Sequence, residues 1–320
     1  MKKILFTMRP KNTSSGGGVF FVRDLVHYFQ EHNYIITYQF EKDIDLIFII
    51  DPRRNCTNHI SIDTILNYKK YLPNVKLLYA VNECDIKREV SINLEPLIIK
   101  CILNCDFIVF ISNWLKDYYF KKYDEVKEKF GNNFKVINNA CDPKIFYQKD
   151  NKKINKNKIK IVTHHWSNNY FKGFEIYNKL DKILPSLKNI EFTYIGNYNK
   201  KYIPKNINYI PPTCNMDLSN EIRKHDIYLT ASLYEPGGIH QLEGMSCGLP
   251  VLYRRNGGGI KESVKNAGEE FNDIKDMLEK LNKIINNYET YTKNIDYEFL
   301  SSKRFGREYF EVIKILIANS

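Results

Sequence analysis

Short, uninterrupted apolar runs alternate with helix-patterned stretches along most of the chain, and this rhythm restricts the fold more than any other feature. In the first half the runs are KILFTM, YIITYQF, DLIFII, VKLLYAV and DFIVFI. Between the first two, Val19, Val22, Leu25, Val26 and Phe29 recur at helical spacing. Further helices are expected near residues 60–71 and 91–104. A strand that is apolar at every position must be covered on both faces, and the helices supply that cover, which points to parallel α/β sheets.

The polar stretch YQKDNKKINKNK, residues 147–158, interrupts the rhythm with the composition of a linker. Beyond it come IKIVTHH, a helix from about 173, IEFTYIG, INYIPP, a helix near 216–225, DIYLTAS, another helix, PVLYRR and a helix after NGGG. The expected organisation is two open parallel-sheet α/β domains of Rossmann-like type, residues 1–150 and 151–295, facing a cleft. Ligands of such sheets bind outside the carboxyl ends of the strands. The segment YEFLSSKRFGREYFEVIKILIA is expected to form one amphipathic helix, within 296–320, that returns to brace the first domain.

A chain of 320 residues has the length for two hydrophobic cores. Its formal charge of +11 suggests an anionic partner, whether nucleic acid, an anionic membrane surface or a phosphorylated small molecule. The lysines are scattered among Asn, Ile and Tyr, as an AT-rich genome would scatter them, so charge alone selects none of these. The start, MKKILFTMRP, reads as a strand because Arg9 and Pro10 cut short its apolar run, and no run is long enough for a membrane span. The seven cysteines include no CxxC pair and fit a reducing cytoplasm, with peripheral membrane contact left open. Cys101 and Cys105 are expected as small buried hydrophobes, with no structural zinc.

Two glycine-bearing turns are the candidate anion sites. In TMRPKNTSSGGGVFFVRDL, Gly16, Gly17 and Gly18 let the backbone approach a ligand before a helix begins. In YEPGGIHQLEGMSCGLPVL, Pro236 lies near an expected helix start, and Gly237, Gly238 and Ile239 offer its first N–H groups. Glu243 then falls more than a turn inside, about 7 Å along the helix from Gly238. Carboxylates beside an anion site must contact something uncharged, and sugar hydroxyls suit both Glu235 at the mouth and Glu243 further in.

In order and spacing, Glu235, Glu243 and GLPVL resemble the E-x7-E motif and following strand of the retaining glycosyltransferases of family 4, of GT-B architecture. NGGGIKESV, VINNACDPKIF and CDFIVFISNWLKDYY are similar to further segments of that family, in the same order. Lys172 before Gly173 matches the family's donor-phosphate lysine, whereas Ser167 stands where the family has an arginine. His165, Asn168 or Asn169 would then donate hydrogen bonds there, with His165 cationic if a phosphate raises its pKa. Asn82 and Glu83, at a strand end where many relatives carry a histidine, are candidates for acceptor or sugar contact.

The resemblance implies transfer of a sugar from a nucleotide-diphosphate donor to an acceptor hydroxyl with retention at the anomeric carbon. It casts Glu235, Lys172 and His165 as catalytic, and Gly17, Gly18, Gly237, Gly238, Ile239, Glu243, Ser167 and Asn168 as donor-binding. It implies no metal and no other cofactor, and a glycan, lipid or protein acceptor; nucleic acid is disfavoured. Two alternatives remain: a degenerate GT-B protein acting as a binding or scaffold subunit, motivated by Ser167, and a nucleotide-sugar epimerase or phosphorylase.

Overall fold

The computed structural model describes residues 2–10, 17–53, 59–131, 133–149 and 153–318. It divides into two compact units: Met1–Asp85, Ser91–Asn139 and Ser302–Ser320 form the first, and Ile86–Val90 with Ala140–Ser301 the second.

The first unit runs β1 (Lys3–Phe6), α1 (Gly17–Glu31), β2 (Ile35–Thr37), β3 (Leu46–Ile49), α2 (Ile62–Lys69), β4 (Lys76–Val81), α3 (Glu95–Asn104), β5 (Phe107–Phe110), α4 (Asn113–Lys122), α5 (Asp124–Phe130) and β6 (Phe134–Val136). Its strands form one parallel sheet in the order β2-β1-β3-β4-β5-β6. The register sets Leu5 beside Ile47 and Phe6 beside Phe48. Every residue of β3 is buried, as a strand covered on both faces requires. Ser112 starts α4, its hydroxyl accepting from the Leu115 N–H at 3.0 Å, a cap worth about 1 kcal/mol. Cys101 lies in α3 and Cys105 ends it, both buried.

The second unit follows with β7 (Ile159–His165), a 3₁₀ turn (Tyr170–Lys172), α6 (Phe174–Ile183), β8 (Ile190–Gly196), β9 (Asn208–Ile210), α7 (Asn215–Ile222), β10 (Ile227–Thr230) and α8 (His240–Ser246). It ends with β11 (Val251–Arg254), α9 (Ile260–Val264), β12 (Gly268–Phe271), α10 (Ile274–Asn286), α11 (Tyr288–Lys293) and α12 (Tyr297–Leu300). Its parallel sheet has the order β12-β11-β10-β7-β8-β9. Alternation along the strands feeds two cores. Ile161, Leu229 and Leu252 pack with α6 and α10, whereas Val162, Tyr228 and Val251 pack with α7, α8 and α9. After β9 the chain crosses back to place β10 beside β7, so these neighbours carry the switch in strand order. The loops at their carboxyl ends are where such a sheet binds ligands.

The units part at Asn139 and again after Ser301, whereas the sequence reading drew its boundaries at 150 and 295. The described residues of the polar stretch, 147–149 and 153–158, are exposed or half-buried. Before it, Phe146 and Cys141 already belong to the second core, and the Cys141 N–H donates to Leu300 O at 2.8 Å. Ser301 is extended and bridges Cys141, which breaks the expected single helix into α12 and the long α13 (Ser302–Ala318).

Helix α13 packs on α1 in the first unit, with Phe21 edge-on to Phe305 and Tyr309 at ring separations of 5.1 and 5.7 Å. Gly306 permits this approach, because a Cβ there would sit 2.4 Å from the Tyr28 ring. Replacing Gly306 by Val gains a few tenths of a kcal/mol in helix propensity but forces a clash of about 1–3 kcal/mol. Gly306→Val is therefore expected to lose roughly 2 kcal/mol in urea unfolding; unchanged or increased stability would contradict the close approach.

Candidate active site

Three loops of the second unit meet at the switch in its sheet. The first leaves β7. Asn169 caps the 3₁₀ turn by accepting from the Phe171 N–H at 3.2 Å, and Phe171 O accepts from the Leu233 N–H at 2.8 Å. Gly173 then turns into α6 at φ +105°, where a Cβ would lie 2.6 Å from Ala231 Cβ. That combination of a left-handed φ and a close approach admits only glycine. It sets Lys172 against the loop after β10.

In that second loop Tyr234 adopts φ +53°, with its N–H donating to Asn256 O at 2.8 Å. Glu235 bridges Gly258, and its carbonyl accepts from the Gly259 N–H at 2.8 Å. A Cβ on Gly258 would stand 2.3 Å from the Glu235 carbonyl, so the NGGG turn works here as a clamp on the Glu235 backbone. The carboxylate of Glu235 is ion-paired to the Lys172 ammonium.

Burial pushes the Glu235 carboxyl up, but Lys172 first, then Lys87 and His240, more than offset this and hold it at about 2. His240 is also buried, its Nε2 at 2.9 Å from Thr230 Oγ1. Burial lowers it to about 3, with Lys172 adding to the effect and Glu235 opposing it. His240 is the residue sequence reasoning missed; its only signal was its place three before Glu243, on the same helical face.

The helix after this loop starts later than expected. Ile239 is the N-cap and α8 begins at His240, so Pro236, Gly237 and Gly238 belong to the turn and Glu243 lies in the first helical turn. Gly238 is nonetheless tightly confined, since a Cβ there would meet Gln241 Oε1 at 2.4 Å. The Glu243 carboxylate is buried and accepts from His164 Nε2 at 2.5 Å. His164 Nδ1 lies 3.0 Å from the Tyr228 hydroxyl, whose oxygen also receives the His164 backbone N–H at 3.3 Å. Such a chain is satisfied when the Tyr228 hydroxyl donates to Nδ1 and Nε2–H donates to Glu243.

Other expectations need correction. His165 points into the fold. Its ring is buried, with Nε2 at 3.0 Å from the Tyr177 hydroxyl. Burial, with His240 and Lys172 nearby, drives its pKa well below the usual histidine range. Ser167 and Asn168 are exposed: the Ser167 hydroxyl accepts from the Asn169 N–H at 3.2 Å, and the Asn168 backbone carbonyl accepts from Asn199 Nδ2, on the loop after β8, at 2.7 Å.

Asn82 and Glu83 lie in the first unit, where Asn82 donates to Ile50 O at 3.1 Å and Glu83 Oε1 accepts from the Cys84 N–H at 3.2 Å. Gly17 and Gly18 open α1 of that unit, and Gly16 lies outside the described residues. Among the described residues no group of three His, Cys, Asp or Glu side chains is placed to hold a metal ion, and no helix is long and apolar enough to cross a membrane.

A carboxyl held below its unfolded pKa of about 4.3 stabilises the fold above that value. For Glu235 this contribution is lost as pH falls toward about 2. Lys172→Met leaves the carboxylate buried without its main counter-charge and is expected to cost about 3 kcal/mol at neutral pH, with a smaller loss when Glu235→Gln is added. Denaturant unfolding of both single variants and the double variant checks this; a double-variant loss equal to the sum of the two single losses would mean that the pair is not coupled.

Residues 172–299 match the family model described as Glycosyl transferases group 1. The glycogen synthase of Petrotoga mobilis is 30% identical over 175 residues, covering 46% of this chain and 35% of that protein. The chain spans between 35% and 59% of the length of the curated relatives it matches. Among solved structures, sucrose-phosphate synthase from Thermosynechococcus elongatus superposes with a TM-score of 0.72 at 13% identity, over all of both chains. Anabaena HepE in complex with UDP and glucose gives 0.71 at 14% identity, over 98% of this chain and 100% of that one. Residues 172–299, which hold Lys172, Glu235 and Glu243, thus match the group 1 glycosyl transferases, within a chain of GT-B fold.

Proposed function

We propose that the protein transfers a sugar from a nucleotide-diphosphate donor to an acceptor hydroxyl, with retention at the anomeric carbon and without a metal ion. The observation that carries this reading is the ion pair of half-buried Lys172 with buried Glu235, set beside the Gly237–Gly238 turn with Glu243 in the first turn of the helix that follows. The complex of the similarly folded HepE with UDP and glucose supports a nucleotide sugar as donor.

On this reading the donor diphosphate takes the Lys172 ammonium away from Glu235. The freed carboxylate accepts a hydroxyl of the transferring sugar, while Glu243, oriented by His164, accepts ribose hydroxyls. The bond from the anomeric carbon to the leaving phosphate breaks as the acceptor oxygen bonds the same face. The acceptor proton passes to the departing phosphate oxygen, so no protein base is needed. Lys172 and backbone N–H groups near Gly238 and Ile239 meet the developing charge, and the protein contributes by positioning and electrostatics. A glycan, lipid or protein supplies the acceptor hydroxyl.

Ligand-observed NMR with UDP, GDP, ADP and their sugar conjugates tests the reading. One nucleotide series is expected to bind in the presence of EDTA, with Glu243→Ala weakening it about tenfold and Glu235→Gln lowering kcat on its sugar conjugate about a hundredfold. Failure of all three series to bind the folded protein would overturn the transferase reading in favour of a scaffold subunit.

A further inference from the structure

A diphosphate carries more negative charge than one ammonium offsets, yet the turn after β7 offers Lys172 alone, with Ser167 at the place where the sequence resemblance expects an arginine. The fold brings a second cation to this turn from elsewhere in the sequence. Residues Ile86–Val90 follow β4 along the chain but pack as part of the second unit. Asn169 holds them there, because its Nδ2 donates to Lys87 O at 2.7 Å while its Oδ1 caps the 3₁₀ turn that ends in Lys172. A second tie is the ion pair of Lys201 with Glu89. One asparagine side chain therefore fixes the backbone of Lys87 and the turn of Lys172 together.

We propose that Lys87 is the second phosphate-binding cation of this site, delivered by the 86–90 loop in place of a cation at Ser167. Lys201 is committed to Glu89. Lys87 is half-buried and near enough to Glu235 that, after Lys172, it is the next charge holding that carboxyl down. A lysine on a flexible stem binds phosphate as a point charge and does not need the fixed fork of an arginine. Lys87 would thus touch the donor's phosphates alongside Lys172. This inference rests on the transferase reading and adds to it the source of the missing charge.

The test is calorimetric titration of the wild type, Lys87→Ala, Lys87→Arg and Lys87→Ala/Ser167→Arg with UDP, GDP and ADP and with uridine, guanosine and adenosine. For the base that binds, Lys87→Ala is expected to weaken the diphosphate about tenfold and leave the nucleoside unchanged. Lys87→Arg is expected to keep the affinity, and Ser167→Arg to restore part of it in the alanine background. Unchanged diphosphate affinity in Lys87→Ala overturns the inference and leaves the transferase reading standing. Equal weakening of nucleoside and diphosphate also overturns it, since that marks a structural role for the loop. A wild type that binds none of the diphosphates overturns the transferase reading and this inference with it.

Discussion

A carboxylate buried as deeply as that of Glu235 stays ionised because Lys172 stands against it, and the local fold is arranged to keep the two together. Gly173 brings the lysine's loop onto Ala231, and Gly258 clamps the glutamate's backbone from the other side. The half-buried Lys172 ammonium answers the Glu235 charge, which would otherwise be buried alone at a cost of several kcal/mol. On the proposed reading the same arrangement readies the site for its donor, because a phosphate can replace Glu235 at the ammonium and a hydroxyl can replace Lys172 at the carboxylate.

The neighbouring histidines fit this electrostatic frame. His165 and His240 are depressed by burial and by the same lysine, so they bring little positive charge to compete with it. His164 differs, since its ring is fully engaged between Tyr228 and Glu243. It orients a carboxylate that would otherwise be buried with empty acceptor sites.

Much of the architecture was legible in the sequence because uninterrupted apolar strands and helical periodicity are strong local signals. Strands β1 to β5 and β7 to β11 fall on the runs read there. The charged strand β12, GEEF, escaped because it lies at the sheet edge, where apolar residues are not demanded throughout. The unit boundary escaped because burial of Cys141 and Phe146 depends on packing against residues more than a hundred positions away. At the site, the family resemblance singled out Lys172, Glu235 and Glu243 as candidates. It did not reveal that the first two pair, that His164 holds the third, or that His165 faces inward. Strand alternation alone leaves open which of two adjacent histidines faces the helix side of Glu243.

The most direct measurement is a crystal structure with the nucleoside diphosphate that binds. The expected result is Lys172 Nζ about 3 Å from a phosphate oxygen and parted from Glu235. A bound diphosphate with the Lys172–Glu235 pair intact would contradict the exchange on which the proposed mechanism depends.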